Sequence, residues 1–200
     1  MIRKVEEAEA LEKTGDFRGS ETAFAEIIKT NPENDRAWGG LGRSILAAGR
    51  YQEASDALDN ACRLQVIDGR NFAARGAARR AMNKLKAAYQ DFNDAQRLNP
   101  RDIQSSLAML FVAIELEDYG LFDRTMVKLR STARASQPEW MLAEAAKELH
   151  IGENHNAQLL LEKASEGLPP EQYEALLSDR IFADKRSKAL IATLGQVVSP

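Results

Sequence analysis

A chain of 200 residues that is 44% hydrophobic and 28% charged has enough apolar side chains to fold around its own core, which excludes an intrinsically disordered chain. Its 27 basic and 30 acidic residues give a net charge of -3, so the whole chain lacks the positive field that attracts nucleic acid to many of its binding proteins. The single cysteine, Cys62, excludes an intrachain disulfide bond and a zinc site built from cysteines.

The hydrophobic pattern predicts a series of helices and no strand. Apolar residues recur at intervals of three and four, which places them on one face of a helix, and polar or glycine-bearing turns separate the segments. The predicted helices lie near residues 2–14, 18–30, 35–48, 52–65, 69–82, 86–98, 102–116, 119–133, 138–149, 155–166, 171–178 and 185–195. The expected fold class is therefore all-α.

The predicted helices repeat in pairs with a period of 34 residues. The segments that end at Pro32 and Pro100 are 68 residues, or two periods, apart. Steps of one period align three columns of mostly apolar residues on the second helix of each pair. The columns are Phe17, Tyr51, Leu85 and Tyr119; Phe24, Leu58, Phe92 and Met126; and Ile27, Ala61, Ala95 and Leu129. A fixed period of this length indicates an array of helical repeats.

Two of the repeat units carry a specific motif. The second reads WGGLGRSILAAGRYQEASDALDNA from Trp38, and the third reads FAARGAARRAMNKLKAAYQDFNDAQRLNP from Phe72. Both resemble tetratricopeptide repeats in their spacing and in a shared set of residues. The set is Trp38, Leu41, Gly42, Ala54, Leu58 and Ala61 in the second unit, and Phe72, Gly76, Ala88, Phe92, Ala95 and Pro100 in the third. In this register Trp38, Phe72, Leu58 and Phe92 are expected to be buried between helices.

The resemblance implies a right-handed superhelical solenoid of about five antiparallel helix pairs, followed by carboxyl-terminal capping helices. The array occupies residues 1–168, and residues 169–200 form the cap. Its units lie near residues 1–34, 35–68, 69–102, 103–136 and 137–168. The fifth unit aligns with the others only if one residue is inserted in the turn HIGENH.

The resemblance also implies that the first helices of the pairs line a concave groove that binds a peptide or a segment of a partner protein. The candidate partner-binding arginines of the second and third units are Arg36, Arg43, Arg70 and Arg80. Residues 69–102 contain eight Lys or Arg and three Asp or Glu, which favours an acidic partner. Some tetratricopeptide domains hold the acidic tail of a heat-shock chaperone through asparagines and lysines. Glu9, Arg43 and Ala77 replace those asparagines here, so that specificity is not expected.

The helix near residues 102–116 is apolar on every side, whereas an amphipathic helix has one polar face. Leu107, Phe111 and Ile114 are the candidate partner-binding residues of this helix. Two interpretations remain open. In the first, the carboxyl-terminal capping helices cover this helix through Tyr173, Leu176, Leu177, Ile181 and Phe182. In the second, a client protein or a second copy of the chain docks on it.

These features predict a non-catalytic scaffold that binds an acidic or amphipathic segment of a partner protein in the groove. A first alternative is a chaperone or assembly factor that shields a secreted or complex-forming client. A lower-ranked alternative is RNA binding by the arginine band at residues 70–86. RNA binding is disfavoured because the band lacks interleaved exposed aromatic residues on which bases could stack.

No catalytic residue, metal site or cofactor is expected. His150 and His155 flank a turn and lack the spacing of a metalloprotease motif, and Cys62 has no histidine close in sequence to activate it. The amino-terminal sequence is charged, and the longest apolar run is too short to span a membrane. A cytoplasmic protein is therefore expected, with its oligomeric state left open.

Overall fold

The structure is a computed structural model that describes residues 2–64, 67–132 and 138–197. Every regular element in these ranges is helical, which confirms the predicted all-α fold. The helices are α1 (Ile2–Lys13), α2 (Phe17–Thr30), α3 (Asp35–Ala47), α4 (Tyr51–Leu64), α5 (Gly69–Ala81), α6 (Leu85–Leu98), α7 (Ile103–Glu115), α8 (Tyr119–Thr132), α9 (Pro138–Ile151), α10 (Asn154–Gly167), α11 (Pro170–Leu177) and α12 (Lys185–Val197). A single 3₁₀ turn, Arg180–Phe182, lies between α11 and α12 in this part of the chain.

Short turns with one left-handed residue connect the two helices of each pair. These residues are Gly15, Gly49, Asn83, Glu117 and Gly152, and their φ angles lie between 56° and 93°. The first four are spaced by 34 residues, and the last follows after 35. The extra residue agrees with the insertion predicted in the turn HIGENH.

Short polar side chains fix where several helices begin. The carboxylate of Asp16 accepts a hydrogen bond from the backbone N–H of Gly19, and the side chain of Asn34 accepts one from Ala37, both at 2.9 Å. Each bond satisfies an N–H group in the first helical turn that has no partner within the helix. The helix starts are therefore encoded locally, immediately after each turn.

The chain divides into two compact bodies, an amino-terminal body of Met1–Ser106 and a carboxyl-terminal body of Leu107–Pro200. In the amino-terminal body each helix packs on the next one in sequence, from α1 to α6. The first helices of successive pairs also pack on one another, α1 on α3 and α3 on α5. These three helices therefore share one face of the amino-terminal body.

Glycines on first helices allow bulky residues of the second helices into the core. A Cβ atom at Gly42 would lie 2.5 Å from Cγ of Leu58, and one at Gly76 would lie 2.9 Å from Cε1 of Phe92. Both distances are shorter than a carbon–carbon contact permits. Leu58 and Phe92 are buried, as predicted.

Trp38 and Phe72 are only partly buried, so the expectation that both lie wholly between helices is wrong. The indole N–H of Trp38 donates a hydrogen bond to the carbonyl oxygen of Pro32 at 2.7 Å. The guanidinium carbon of Arg75 lies 5.3 Å from the centre of the Phe72 ring. Each ring thus has a polar neighbour as well as apolar ones, which suits a position at the rim of the core.

In the carboxyl-terminal body, α9 and α10 form a packed pair, and α11 and α12 contact α10. The buried residues Leu142, Ala146 and Leu161 contribute to its core. The hydroxyl of Tyr173 donates a hydrogen bond to the carbonyl oxygen of Leu161 at 3.3 Å. Among the described residues, no helix combines the length and the apolar character needed to cross a membrane.

Candidate functional site

The face shared by α1, α3 and α5, named here the first-helix face, carries three of the four predicted arginines. Arg36 and Arg43 lie on α3, and Arg70 lies at the start of α5. The structure brings these side chains onto neighbouring helices, but it also gives each of them a carboxylate partner. Arg80 lies in the last turn of α5 and is partly buried.

Arg43 links all three helices of the first-helix face. Its Nε and Nη2 atoms donate hydrogen bonds to the two carboxylate oxygens of Glu12 on α1, at 2.6 and 3.0 Å. Its Nη1 atom donates to Oδ1 of Asn71 on α5 at 3.0 Å. The Arg43 and Glu12 side chains are each 19% exposed, and Asn71 is buried. A guanidinium fork in this setting holds helices in a fixed relation, because its donors are rigidly arranged.

Arg36 and Arg70 have more exposed side chains, at 47% and 70%. Arg36 donates to both carboxylate oxygens of Glu9 on α1, at 3.2 and 2.8 Å. Arg70 does the same with Asp68, at 3.1 and 2.8 Å. Burial raises the pKa of Asp68, but the hydrogen bonds from Arg70 more than offset this and leave the pKa below its ordinary value. Each guanidinium has five N–H groups, so donors remain for a second carboxylate.

The first-helix face is therefore less basic than the sequence suggested. Glu9, Glu12 and Asp68 offset the charges of the arginines that they bind. Glu9 and Glu12 come from α1, some 30 positions earlier in the chain, so counting charge within one repeat unit could not include them. The charge count of residues 69–102, which favoured an acidic partner, leaves these carboxylates out.

Two arginines of the predicted arginine band are structural instead. Arg75 and Arg79 on α5 both bind the buried carboxylate of Asp91 on α6, at distances from 2.7 to 3.1 Å. Both also donate to Asp59 on α4, at 2.8 and 2.9 Å. Sequence reasoning missed Asp91. The signal was its place beside Phe92 in the apolar stripe of α6, where an aspartate needs a buried partner.

The sequence of residues 5–65 matches the model of a known repeat family, the tetratricopeptide repeat. The helix pairs, the turn spacing and the glycine contacts all agree with that match. Residues 5–65 therefore carry tetratricopeptide repeats. Among curated protein sequences, none matches the chain.

Solved structures show the tetratricopeptide fold over most of the chain. MamA is 18% identical with a TM-score of 0.68, and the match covers 84% of this chain and 96% of MamA. YrrB, described as a TPR protein with an unusual peptide-binding site, is 14% identical with a TM-score of 0.67, over 86% of this chain and 88% of YrrB. The first TPR of Spaghetti (RPAP3), bound to the HSP90 peptide SRMEEVD, is 18% identical with a TM-score of 0.55, over 58% of this chain and 92% of that domain.

The predicted apolar residues of α7 are not accessible. Leu107, Phe111 and Ile114 on α7 are all buried, so they cannot form a docking patch in this conformation. The rings of Phe111 and Phe182 meet edge to face, with centres 6.1 Å apart. Arg180 donates to both carboxylate oxygens of Glu115 at 2.7 and 2.6 Å.

The closing segment, residues 169–197, therefore contributes to the cover of α7. This agrees with the first of the two interpretations left open by the sequence, in which the capping helices cover the apolar helix. Three of its five predicted contact residues are buried, and the other two are partly buried. The buried ones are Leu176, Ile181 and Phe182; the others are Tyr173 and Leu177. The physical reason is that the closing segment carries apolar side chains of its own, which are removed from water together with those of α7.

The single cysteine, Cys62 on α4, is buried in the amino-terminal body. Burial raises the pKa of its thiol to about 11. The reactive thiolate is therefore scarce at neutral pH. Cys62 behaves as a small apolar core residue here.

Proposed function

We propose that this chain is a non-catalytic protein-binding module that holds a segment of a partner protein on the first-helix face of its amino-terminal body. The observation that carries the proposal is the arrangement of Arg36, Arg43 and Arg70. The least exposed of them braces α1, α3 and α5, and the two more exposed ones present guanidinium groups on the same face. A rigid face that presents forked donors is suited to bind carboxylates without reorganising first.

Similar structures support a binding role for this fold. The first TPR of Spaghetti is bound to an HSP90 peptide, and YrrB is described as having an unusual peptide-binding site. The sequence identities of 18% and 14% leave the surface residues free to differ. The ligand of this chain therefore depends on its own surface side chains.

The proposed ligand is an extended segment with acidic residues spaced to meet Arg36 and Arg70. Both arginines already bind carboxylates of the chain, so a ligand carboxylate has to share a guanidinium with Glu9 or Asp68. Shared guanidinium groups favour modest affinity and strong dependence on salt, because the exposed pairs are screened. We therefore keep the acidic partner that the sequence predicts, and specify it as an extended segment that binds with modest, salt-dependent affinity.

Neither alternative function gains support from the described residues. The chaperone alternative depended on an accessible apolar α7, and Leu107, Phe111 and Ile114 are buried. The RNA alternative depended on the arginine band, in which Arg75 and Arg79 bind Asp91 and Asp59. No second function is proposed.

The test is a selection of linear peptides from a displayed random library against the full chain. The affinities of enriched peptides are then measured by fluorescence anisotropy for the wild type and for a double variant, Arg36→Glu with Arg70→Glu. We expect acidic peptides to be enriched and to bind the double variant at least about tenfold more weakly, which corresponds to about 1.4 kcal/mol.

A matched control is Arg97→Glu. Arg97 lies on α6, its side chain is 70% exposed like that of Arg70, and it pairs with Asp94 at 3.6 Å. This variant is expected to change affinity by less than about twofold. Equal binding of the enriched peptides to the wild type and the double variant contradicts the proposal.

A further inference from the structure

A second surface lies in the carboxyl-terminal body, between α8, α9 and α10, and is named here the outer groove. It is an open groove with a volume of about 570 Å³. Its lining residues are Phe122, Asp123, Met126, Val127, Arg130, Glu144, Lys147, Glu148, Asn156, Leu159, Leu160 and Lys163. All of them belong to one compact body, and none is part of the first-helix face.

The outer groove exposes large apolar side chains that its own walls do not cover. Val127 on α8 is 70% exposed, and Leu159 on α10 is 44% exposed. Between them the groove reaches the buried side chains of Phe122 and Met126. Exposed apolar residues that occur singly need no explanation, but two that line one groove over an apolar floor form a candidate interaction surface.

The two ends of the outer groove differ in charge. At one end, Asp123 binds Lys147 at 2.6 Å, and Glu148 accepts a hydrogen bond from Asn156 at 3.4 Å. This end carries one more carboxylate than it has ammonium groups.

At the other end Arg130 binds Glu144 at 2.5 Å, and Lys163 follows Asn156 by seven residues on α10. Seven residues advance a helix by about 10 Å, so the acidic and basic ends are well separated. Among the described residues that line this end, two cations accompany one carboxylate.

We propose that the outer groove binds an amphipathic helix of a partner protein, with a basic residue at the Asp123 and Glu148 end and an acidic residue at the Arg130 and Lys163 end. The exposed apolar side chains of Val127 and Leu159 lie over an apolar floor between two charged ends, which matches the apolar stripe and charged flanks of an amphipathic helix. A bound helix satisfies its own main chain and needs only side-chain contacts. The charge difference between the ends fixes the direction in which it lies.

The test is a selection from a displayed library of amphipathic peptides of about 16 residues, which is long enough to populate a helix. The targets are the full wild-type chain and the variant Val127→Glu. Enriched peptides are expected to carry apolar residues at intervals of three and four, with opposite charges near their two ends. Their affinity for Val127→Glu is expected to fall at least about tenfold.

The matched control is Ile67→Glu, since Ile67 is also 70% exposed but lies outside the outer groove. Less than about a twofold change is expected for this variant. Thermal unfolding followed by circular dichroism should be the same for both variants, because each changed side chain is exposed. Arg36→Glu should leave the affinity for these helical peptides unchanged. This result would distinguish binding in the outer groove from binding on the first-helix face.

A charge variant tests the orientation of the bound helix. With Lys163→Glu, peptides that carry a lysine at the corresponding end should bind better than those with glutamate, which reverses the wild-type preference.

Three results overturn the proposal. One is the absence of enriched helical peptides, and another is equal binding of those peptides to wild type and Val127→Glu. The third is self-association of the wild type in sedimentation equilibrium that Val127→Glu abolishes, because this result assigns the outer groove to a second copy of the chain.

Discussion

At the scale of single residues, Arg43 differs from its neighbours in how completely its donors are used. It makes three hydrogen bonds, to side chains on two other helices, and is only 19% exposed. Arg36 makes a similar two-bond contact with Glu9, but the Arg36 side chain is 47% exposed. Solvent screens the second pair far more than the first.

We therefore expect Arg43→Ala to lower the free energy of unfolding by about 2 kcal/mol, because it leaves Glu12 and the buried Asn71 without a donor. Arg36→Ala should cost less than about 1 kcal/mol. Urea unfolding followed by circular dichroism measures both. Equal midpoints for the two variants contradict the bracing role of Arg43.

A second prediction at this scale concerns Cys62, whose pKa is raised to about 11 by burial. The thiolate is the reactive form, and a higher pKa lowers its fraction at pH 8. An aromatic disulfide reagent at pH 8 should therefore label the native chain at least about a hundredfold more slowly than the urea-unfolded chain. Rapid, stoichiometric labelling of the native chain shows that Cys62 is accessible and contradicts the assignment.

At the scale of helices and turns, the left-handed backbone conformation recurs in every repeat unit, although the residue type at that position changes. The position is occupied by glycine at 15, 49 and 152, but by Asn83 and Glu117 in the third and fourth units. Asparagine tolerates this conformation because its short polar side chain can hydrogen-bond to nearby backbone groups. The longer side chain of glutamate lacks this advantage.

Glu117→Gly is therefore expected to raise the free energy of unfolding by about 0.5 to 1 kcal/mol, as the φ of 56° suits glycine. Glu117→Ala is the control, since it removes the same side chain but keeps a Cβ atom. Urea unfolding of the three proteins should rank the glycine variant highest. An alanine variant that is as stable as the glycine variant would place the effect in the glutamate side chain instead.

Helix positions could be predicted from the sequence because each depends on local chemistry: an apolar stripe, a capping side chain and a turn residue. The pairing of Arg75 and Arg79 with Asp91 could not, because it depends on which side chains meet between two helices, α5 and α6. The contacts of α7 could not be predicted for the same reason. The sequence shows that α7 is apolar, but the contact between Phe111 and Phe182 joins residues 71 positions apart.

At the scale of the whole molecule, this chain shares its fold with proteins to which it has low sequence identity, because the fold depends on only a few positions. The tetratricopeptide fold needs apolar residues at a few periodic positions, so an identity of 18% is compatible with a TM-score of 0.68 to MamA. Ligand choice depends on surface residues that the fold does not constrain. The partner therefore has to be sought with this chain itself, on the first-helix face that we propose as its binding surface.

We have proposed that the first-helix face binds a partner segment. The most direct measurement is the change in backbone amide NMR signals of the isotope-labelled 22.2 kDa chain when an acidic peptide from the linear library is added. We expect the largest changes on α1, α3 and α5, around Arg36, Arg43 and Arg70. Changes confined to α2, α4 and α6, or to the outer groove, would contradict it.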